Sequence, residues 1–311
     1  MENALDLWEK PTAKEIYLIA GWHQWADAGM ISSGLPEYLI KQTAAKKIGE
    51  IKPDGFYLFQ IPGTHDLLRP EIKLEEGHRK SLRKKTNEFY YAGDEETGLL
   101  IFLGDEPHLD AERYGKAFFE ALQTIGVKQG AVVGGVYGPV PYDKDRSVSC
   151  TYSLPTMKDE MSEYAVRFSN YEGGVTISAY MVDRAEQYQM PFLAYHVLVP
   201  IYDLSQLSKE LQGIGIDNDF KAWYDLMRRF NVMFKLDFDL EDLQKMSDEL
   251  VISMDSKIGE LDYQMPQLKV RQYLAELTSD FEENSFMPLG DVWKEGLDDL
   301  FDDLDDEQER S

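Results

Sequence analysis

The chain has 311 residues, 43% of them hydrophobic and 29% charged, and 57 acidic against 32 basic side chains leave a formal net charge of −25. That length accommodates one large α/β domain with an addition, or two modest domains. The negative field argues against nucleic acid as a partner, and the absence of an apolar run near the roughly 20 residues of a bilayer helix argues against membrane insertion.

Met1-Glu2-Asn3-Ala4-Leu5-Asp6 lacks the basic-then-apolar order of a secretory leader, which makes the cytoplasm the expected location. Ile16-Tyr17-Leu18-Ile19-Ala20 has the continuous apolarity of a strand buried on both faces. It runs into Gly21-Trp22-His23-Gln24-Trp25-Ala26-Asp27-Ala28-Gly29. Two readings of that turn stand side by side. In one, tryptophans, a histidine and an aspartate line a cleft at the carboxyl end of a strand. In the other, the tryptophans cover the sheet end and Asp27 caps a helix.

The pattern predicts a helix from there to about Lys47, with Pro36 either in its first turn or at a kink. A strand is expected at Phe56–Phe59 and a loop at 61–70, which carries Arg69. Glu71–Leu74 and Asn87–Ala92 alternate like an antiparallel pair, with Arg79, Lys80, Arg83, Lys84 and Lys85 clustered between them. That basic cluster reads as a solvated loop or as a contact for the acidic tail of the same or a neighbouring chain.

Leu99–Leu103 is a second buried-type strand, ending at Gly104-Asp105-Glu106-Pro107-His108 before a helix over about 110–125. Ala131–Val133 is a third, closing on Gly134-Gly135-Val136-Tyr137-Gly138-Pro139-Val140-Pro141. Further strands are expected at 147–153, Val175–Ile177 and Phe192–Val199, with helices at Lys158–Phe168 and Tyr180–Tyr188. From Leu204 the pattern turns helical, at Phe220–Phe230, from Leu240, and around Lys269–Phe281. This order predicts an α/β core over 1–203, a helical C-terminal region over 204–297 and a disordered acidic tail over 298–311.

The sole cysteine, Cys150, allows no intrachain disulfide and no cysteine zinc site, and reads as a small core residue. The glycines at 134 and 135 belong to no phosphate loop, since no Lys-Ser/Thr follows and Pro139 and Pro141 forbid a helix there. They let backbone cross closely at the sheet edge or approach a ligand. No nucleophile elbow, zinc helix or dinucleotide fingerprint occurs, so neither metal nor cofactor is expected. His196, interrupting an apolar strand, reads as a hydrogen-bonded core imidazole. If the three buried strands are neighbours, their terminal turns share one rim, bringing Trp22, Asp27, Arg69, Glu106, His108, Gly134 and Gly135 around one cleft. Asp27, Glu106 and His108 would there serve acid–base chemistry, or the same residues cap and shape the following helices.

An ordered set of segments resembles the proteasome assembly chaperone family, in the branch built like its second chaperone subunit. They are Leu18–Trp22 with Trp25–Gly29, Arg69-Pro70, Asn87–Tyr90, Leu103–His108, the glycine turn after Val133, Tyr171–Gly173, and Val199-Pro200 with Tyr202, spread over residues 15–203. The resemblance implies a three-layer α/β/α fold with a mostly parallel mixed sheet, similar to purine nucleoside phosphorylases and related hydrolases. It also implies self-association and an escort role toward another protein. The chain departs from the family where Pro141-Tyr142-Asp143-Lys144-Asp145-Arg146 replaces a Pro-His-Thr-Arg-Pro type sequence, and where Ile201 stands before Tyr202 in place of a histidine. Its ending, Gln308-Glu309-Arg310-Ser311, lacks the hydrophobic-tyrosine-any signal of many proteasome partners. The expected function is thus a non-enzymatic assembly or interaction protein. The alternative is a phosphorylase-like or hydrolase-like enzyme for a small anionic or nucleoside substrate, with Arg69 holding the anion.

Overall fold

The computed structural model describes residues 4–60, 69–208 and 213–286. The 61–68 loop with His65, the acidic run from Asp291 and the 298–311 tail lie outside them. The strands are β1 (Leu5–Leu7), β2 (Glu15–His23), β3 (Lys46–Ile51), β4 (Glu71–Glu75), β5 (His78–Arg83), β6 (Asn87–Gly93), β7 (Thr97–Asp105), β8 (Val127–Gly138), β9 (Val148–Tyr152), β10 (Arg167–Phe168), β11 (Phe192–Tyr202) and β12 (Ile214–Gly215). The α-helices are α1 (Gly34–Gln42), α2 (Ala111–Ile125), α3 (Lys158–Ser162), α4 (Ile177–Gln187), α5 (Phe220–Met233), α6 (Glu241–Gln264) and α7 (Val270–Leu277).

Ten strands form one mixed sheet in the order β1-β3-β6-β7-β2-β8-β11-β9-β10, with β12 on the end of β11. The four longest, β7, β2, β8 and β11, run parallel at its centre. Strand alternation splits their side chains between two apolar layers. Tyr17, Ile19, Ile101, Val133 and Tyr195 face α1, α5, α6 and α7, with Tyr17 stacked on Phe234 and Tyr195 on Phe230. Leu18, Ala20, Phe102, Val132 and Phe192 face α2 and α4, where Phe118 meets Phe102 edge-on. The result is three layers, with the C-terminal helices forming part of one of them. Cys150 is buried in β9, and burial pushes its thiol up to about 12, which leaves it unreactive. No helix among the described residues is long and apolar enough to cross a membrane.

Five local expectations are corrected. The first helix begins at Gly34, with Pro36 in its first turn. It stops at Gln42, Ala44 turns left-handed (φ 48°), and Lys46–Ile51 forms a strand. Phe56–Phe59 is no strand: the Phe56 carbonyl accepts from His108 N–H (2.8 Å) and Leu109 N–H (3.1 Å), which fixes it as a turn beneath α2. Glu71–Leu74 pairs with the basic segment itself, because Glu76 and Gly77 both take positive φ and close a tight hairpin. Asn87–Gly93 pairs instead with β3 and β7. The helix at Lys158 ends by Ser162, and Arg167–Phe168 lies beside β9. Val175–Ile177 is a helix start, where the Thr176 hydroxyl caps α4 by accepting from Ala179 N–H (3.0 Å).

Candidate functional site

Because β2, β7 and β8 are adjacent and parallel, their terminal turns share one edge of the sheet. Backbone bonds stitch them together. Glu106 N–H donates to the His23 carbonyl (3.2 Å) and Gly135 N–H to that of Ala26 (2.9 Å). Asp27 runs alongside Gly135 as an extra parallel bridge. The fit is so close that a Cβ on Gly135 would lie 2.1 Å from the Ala28 carbonyl oxygen, and one on Gly134 would lie 2.9 Å from the His196 ring. Glycine here is a packing requirement.

The turns converge, but their polar side chains diverge. Asp27 turns back on its own segment, accepting from Ser32 N–H (2.7 Å), Ser33 N–H (2.9 Å) and the Ser33 hydroxyl (2.6 Å) ahead of α1. Burial raises its carboxyl's affinity for a proton, and these donors counteract part of that. Glu106 accepts from the backbone of Ile177 and Trp25, so it pins the tryptophan turn to the start of α4. Burial raises its pKa as well. His108 points elsewhere: its Nδ1 accepts from Leu58 N–H (3.1 Å) and its ring meets Tyr57 edge-on, with burial lowering its pKa. Trp22 is fully buried on the α2 side, its Nε1 donating to the Tyr114 hydroxyl (2.9 Å). Arg69 lies over the Phe59 ring and bonds Gln60. Each of these side chains has structural partners, and no two of the three acid–base groups share a bond.

What the edge does offer is a cleft of about 330 Å³ on its α4 side, lined by Trp25, Ala26, Val136, Ser149, Thr151, Ser169, Tyr171, Gly173, Val175, Thr176, Ala179 and His196. Among the described residues, no charged side chain lines it. At its mouth Trp25 and Tyr171 are 63% and 68% exposed. At its base the Nε2 of His196 is buried without a partner, so this imidazole is not the hydrogen-bonded core histidine expected. Burial lowers its pKa, which keeps the ring neutral at neutral pH. Gln24 stands behind the turn, its amide donating to Ser32 (2.8 Å) and Ser178 (3.2 Å). Neither His196 nor Gln24 is given a place in the cleft by the sequence: Gln24 lies within the tryptophan turn without a motif role, and only the interruption of an apolar strand marks His196. Among the described residues, no cluster of His, Cys, Asp and Glu is placed to hold a metal ion.

Known proteins match this architecture. No protein of the curated set matches the chain. Among solved structures, a PAC2 family protein from Streptomyces avermitilis is 18% identical with a TM-score of 0.65, covering 80% of this chain and 99% of its own. A proteasome-assembly chaperone homologue from Mycobacterium tuberculosis is 17% identical with a TM-score of 0.66, covering 78% and 96%. An archaeal homologue of proteasome-assembly chaperone from Pyrococcus furiosus is 14% identical with a TM-score of 0.52, covering 86% and 99%. At such identities these structures establish the shared fold. The PAC2 family model itself matches residues 21–256, most of the α/β sheet together with α5 and much of α6, and the chain therefore belongs to the PAC2 family.

Proposed function

We propose that the chain is a non-enzymatic, cytoplasmic assembly or interaction protein that works as a homo-oligomer and seats an apolar or aromatic side chain of a partner protein in the Trp25–Tyr171 cleft. The observation that carries this reading is the cleft's chemistry: exposed aromatics at the mouth and no charged side chain in the lining. Aromatic, charge-poor depressions are where protein partners anchor most of their binding energy. The names of the M. tuberculosis and P. furiosus relatives support a chaperone-like role. Glu106 and Asp27 support it from below by fixing the turn that presents Trp25.

One observation favours a second reading: the unpartnered Nε2 of His196 would suit a small uncharged molecule with one hydrogen-bonding group. A single experiment separates the two. The full chain and its Trp25→Ala/Tyr171→Ala variant are used to capture proteins from the native host, with mass-spectrometric identification. The proposal expects a defined protein captured by the native chain and depleted about tenfold or more by the variant, since one lost aromatic anchor of 2 kcal/mol already exceeds that factor. Identical captures, or turnover of nucleosides by the purified chain, would overturn it.

A further inference from the structure

The hairpin β4–β5 is an arm whose apolar side chains are left uncovered by the described residues: all its strand residues are exposed. In register, Ile72 faces Leu82, and Leu74 lies two residues along from Ile72, so the three share one face. Ile72 and Leu74 are 55% and 60% exposed. An isolated two-stranded hairpin is marginally stable in water, so an arm with an apolar face implies a cover. Its charge narrows the choice of cover. Residues 71–85 carry six basic side chains against three acidic ones, inside a chain of net charge −25. Lys80 pairs with Glu75, and Arg83 and Lys85 approach Asp105. Among the described residues, Arg79 and Lys84 make no ion pair.

The complementary sequence is at the other end of the chain. Residues 291–309 hold ten carboxylates against Lys294, with Trp293, Leu297, Leu300, Phe301 and Leu304 spaced as one helical stripe. We propose that this C-terminal segment of one copy covers the Ile72–Leu74–Leu82 face of the arm of a second copy, with its carboxylates against Arg79 and Lys84. The proposal rests on the self-association stated above and supplies its contact.

Reach favours a second copy for the full stripe. Phe286, the last described residue before the segment, packs against Tyr164 and Arg229 near β10. The arm springs from the opposite side, beside the end of β7. From β7 to β10 is five strand steps, about 24 Å through the body of the molecule, and the arm extends about 17 Å beyond. Seven residues from Phe286 to Trp293 span at most about 25 Å. Within one chain Trp293 therefore falls short of the arm's apolar face, although Leu300, seven residues further on, could reach it; only between chains can the whole stripe from Trp293 to Leu304 seat there.

The test uses full-length chains. One carries Leu74→Cys and a distinguishable tag, the other Leu300→Cys; Cys150 stays, being buried. Mixed under mild oxidation at low salt, they should give an interchain disulfide at least fivefold above an Ile252→Cys control, an exposed apolar site on α6. The yield should fall severalfold between 0.05 and 0.5 M salt and with Arg79→Glu/Lys84→Glu, and Asp302→Lys/Asp303→Lys in the partner should restore it. Circular dichroism checks that each variant is folded. No excess over the control, or a disulfide formed only within a doubly substituted chain, overturns the proposal. Sedimentation then tells the two claims apart: oligomers without the cross-link sink this contact alone, and a monomeric native chain sinks self-association as well.

Discussion

On the α2–α4 side of the sheet the buried network around Asn87 is built of neutral groups. Trp22 Nε1 donates to the Tyr114 hydroxyl, which donates to Asn87 Oδ1 (2.9 Å), and the Tyr57 hydroxyl lies 2.7 Å from both that oxygen and the Asp105 carbonyl. On the α5–α7 side they are ionic. The Arg146 guanidinium meets Asp219 in a two-pronged contact (2.8 and 3.1 Å) and donates to the carbonyls of Pro141, Tyr142 and Lys144. Its backbone N–H donates to Asp225, and Arg229 holds the carbonyls of Tyr164, Ala165 and Asp225. Both networks fasten loops at the carboxyl edge to the layers beneath. The neutral one works by saturating hydroxyls and amides, the ionic one by cancelling charge, and of these two networks only the ionic one carries the titrating Asp225.

The largest effect expected from this difference is at Arg146. Replacing it with alanine takes the guanidinium from the fully buried Asp219, leaving it the Ala222 N–H (3.1 Å), and strands three carbonyls. Removing one partner of a buried pair costs about 3–5 kcal/mol, which urea unfolding at pH 7 would read directly. A loss below about 1 kcal/mol would show that water or a neighbouring lysine takes over the guanidinium's place and that the ionic network is not what holds the 138–146 loop.

The ionic side was also the less legible one in the sequence. Arg146 was visible only as the end of a segment departing from the family pattern, because its partners lie 73 and 79 residues away and no periodicity links them. The four central strands were legible, because burial on both faces demands unbroken apolar runs. Lys46–Ile51 was not: with partners on both sides but one half-exposed face, it mixes lysines and a glutamate with Ile48 and Ile51 and so continues a helical pattern. The meeting of the three turns followed from strand identity alone. Where Asp27, Glu106 and His108 point did not, because each is captured by backbone N–H groups whose positions depend on the folded loops.

An intermediate effect, with a sign set by pH, belongs to Asp225. It is buried with one carboxylate oxygen lacking a partner, and burial raises its pKa to about 6, against about 3.9 for a free aspartate. The native state then holds a proton that the unfolded chain has released, so stability is lost as pH rises between about 4 and 6 and stays lower above. Asp225→Asn keeps an acceptor for Arg146 N–H and removes the charge. It should be more stable than the native chain by about 1–2 kcal/mol at pH 8, with the gap closing near pH 4. Thermal unfolding of both across that range checks this. A variant less stable at pH 8 would mean that Lys221 and Arg229 already compensate the buried charge.

The smallest effect should come from the neutral side. Tyr57→Phe removes one hydroxyl while Asn87 Oδ1 keeps the Tyr114 hydroxyl, and the ring keeps its edge contact with His108. The net loss of one hydrogen bond is about 0.5–1.5 kcal/mol. Because burial holds the Tyr57 phenol far above its usual pKa, neither side of the exchange titrates, and the loss should be equal at pH 5 and pH 8. Equality there, beside a pH-dependent gap at Asp225, is the contrast that separates saturation from charge cancellation. A Tyr57→Phe cost that changes with pH would couple the His108 imidazole to the network and merge the two sides into one electrostatic system.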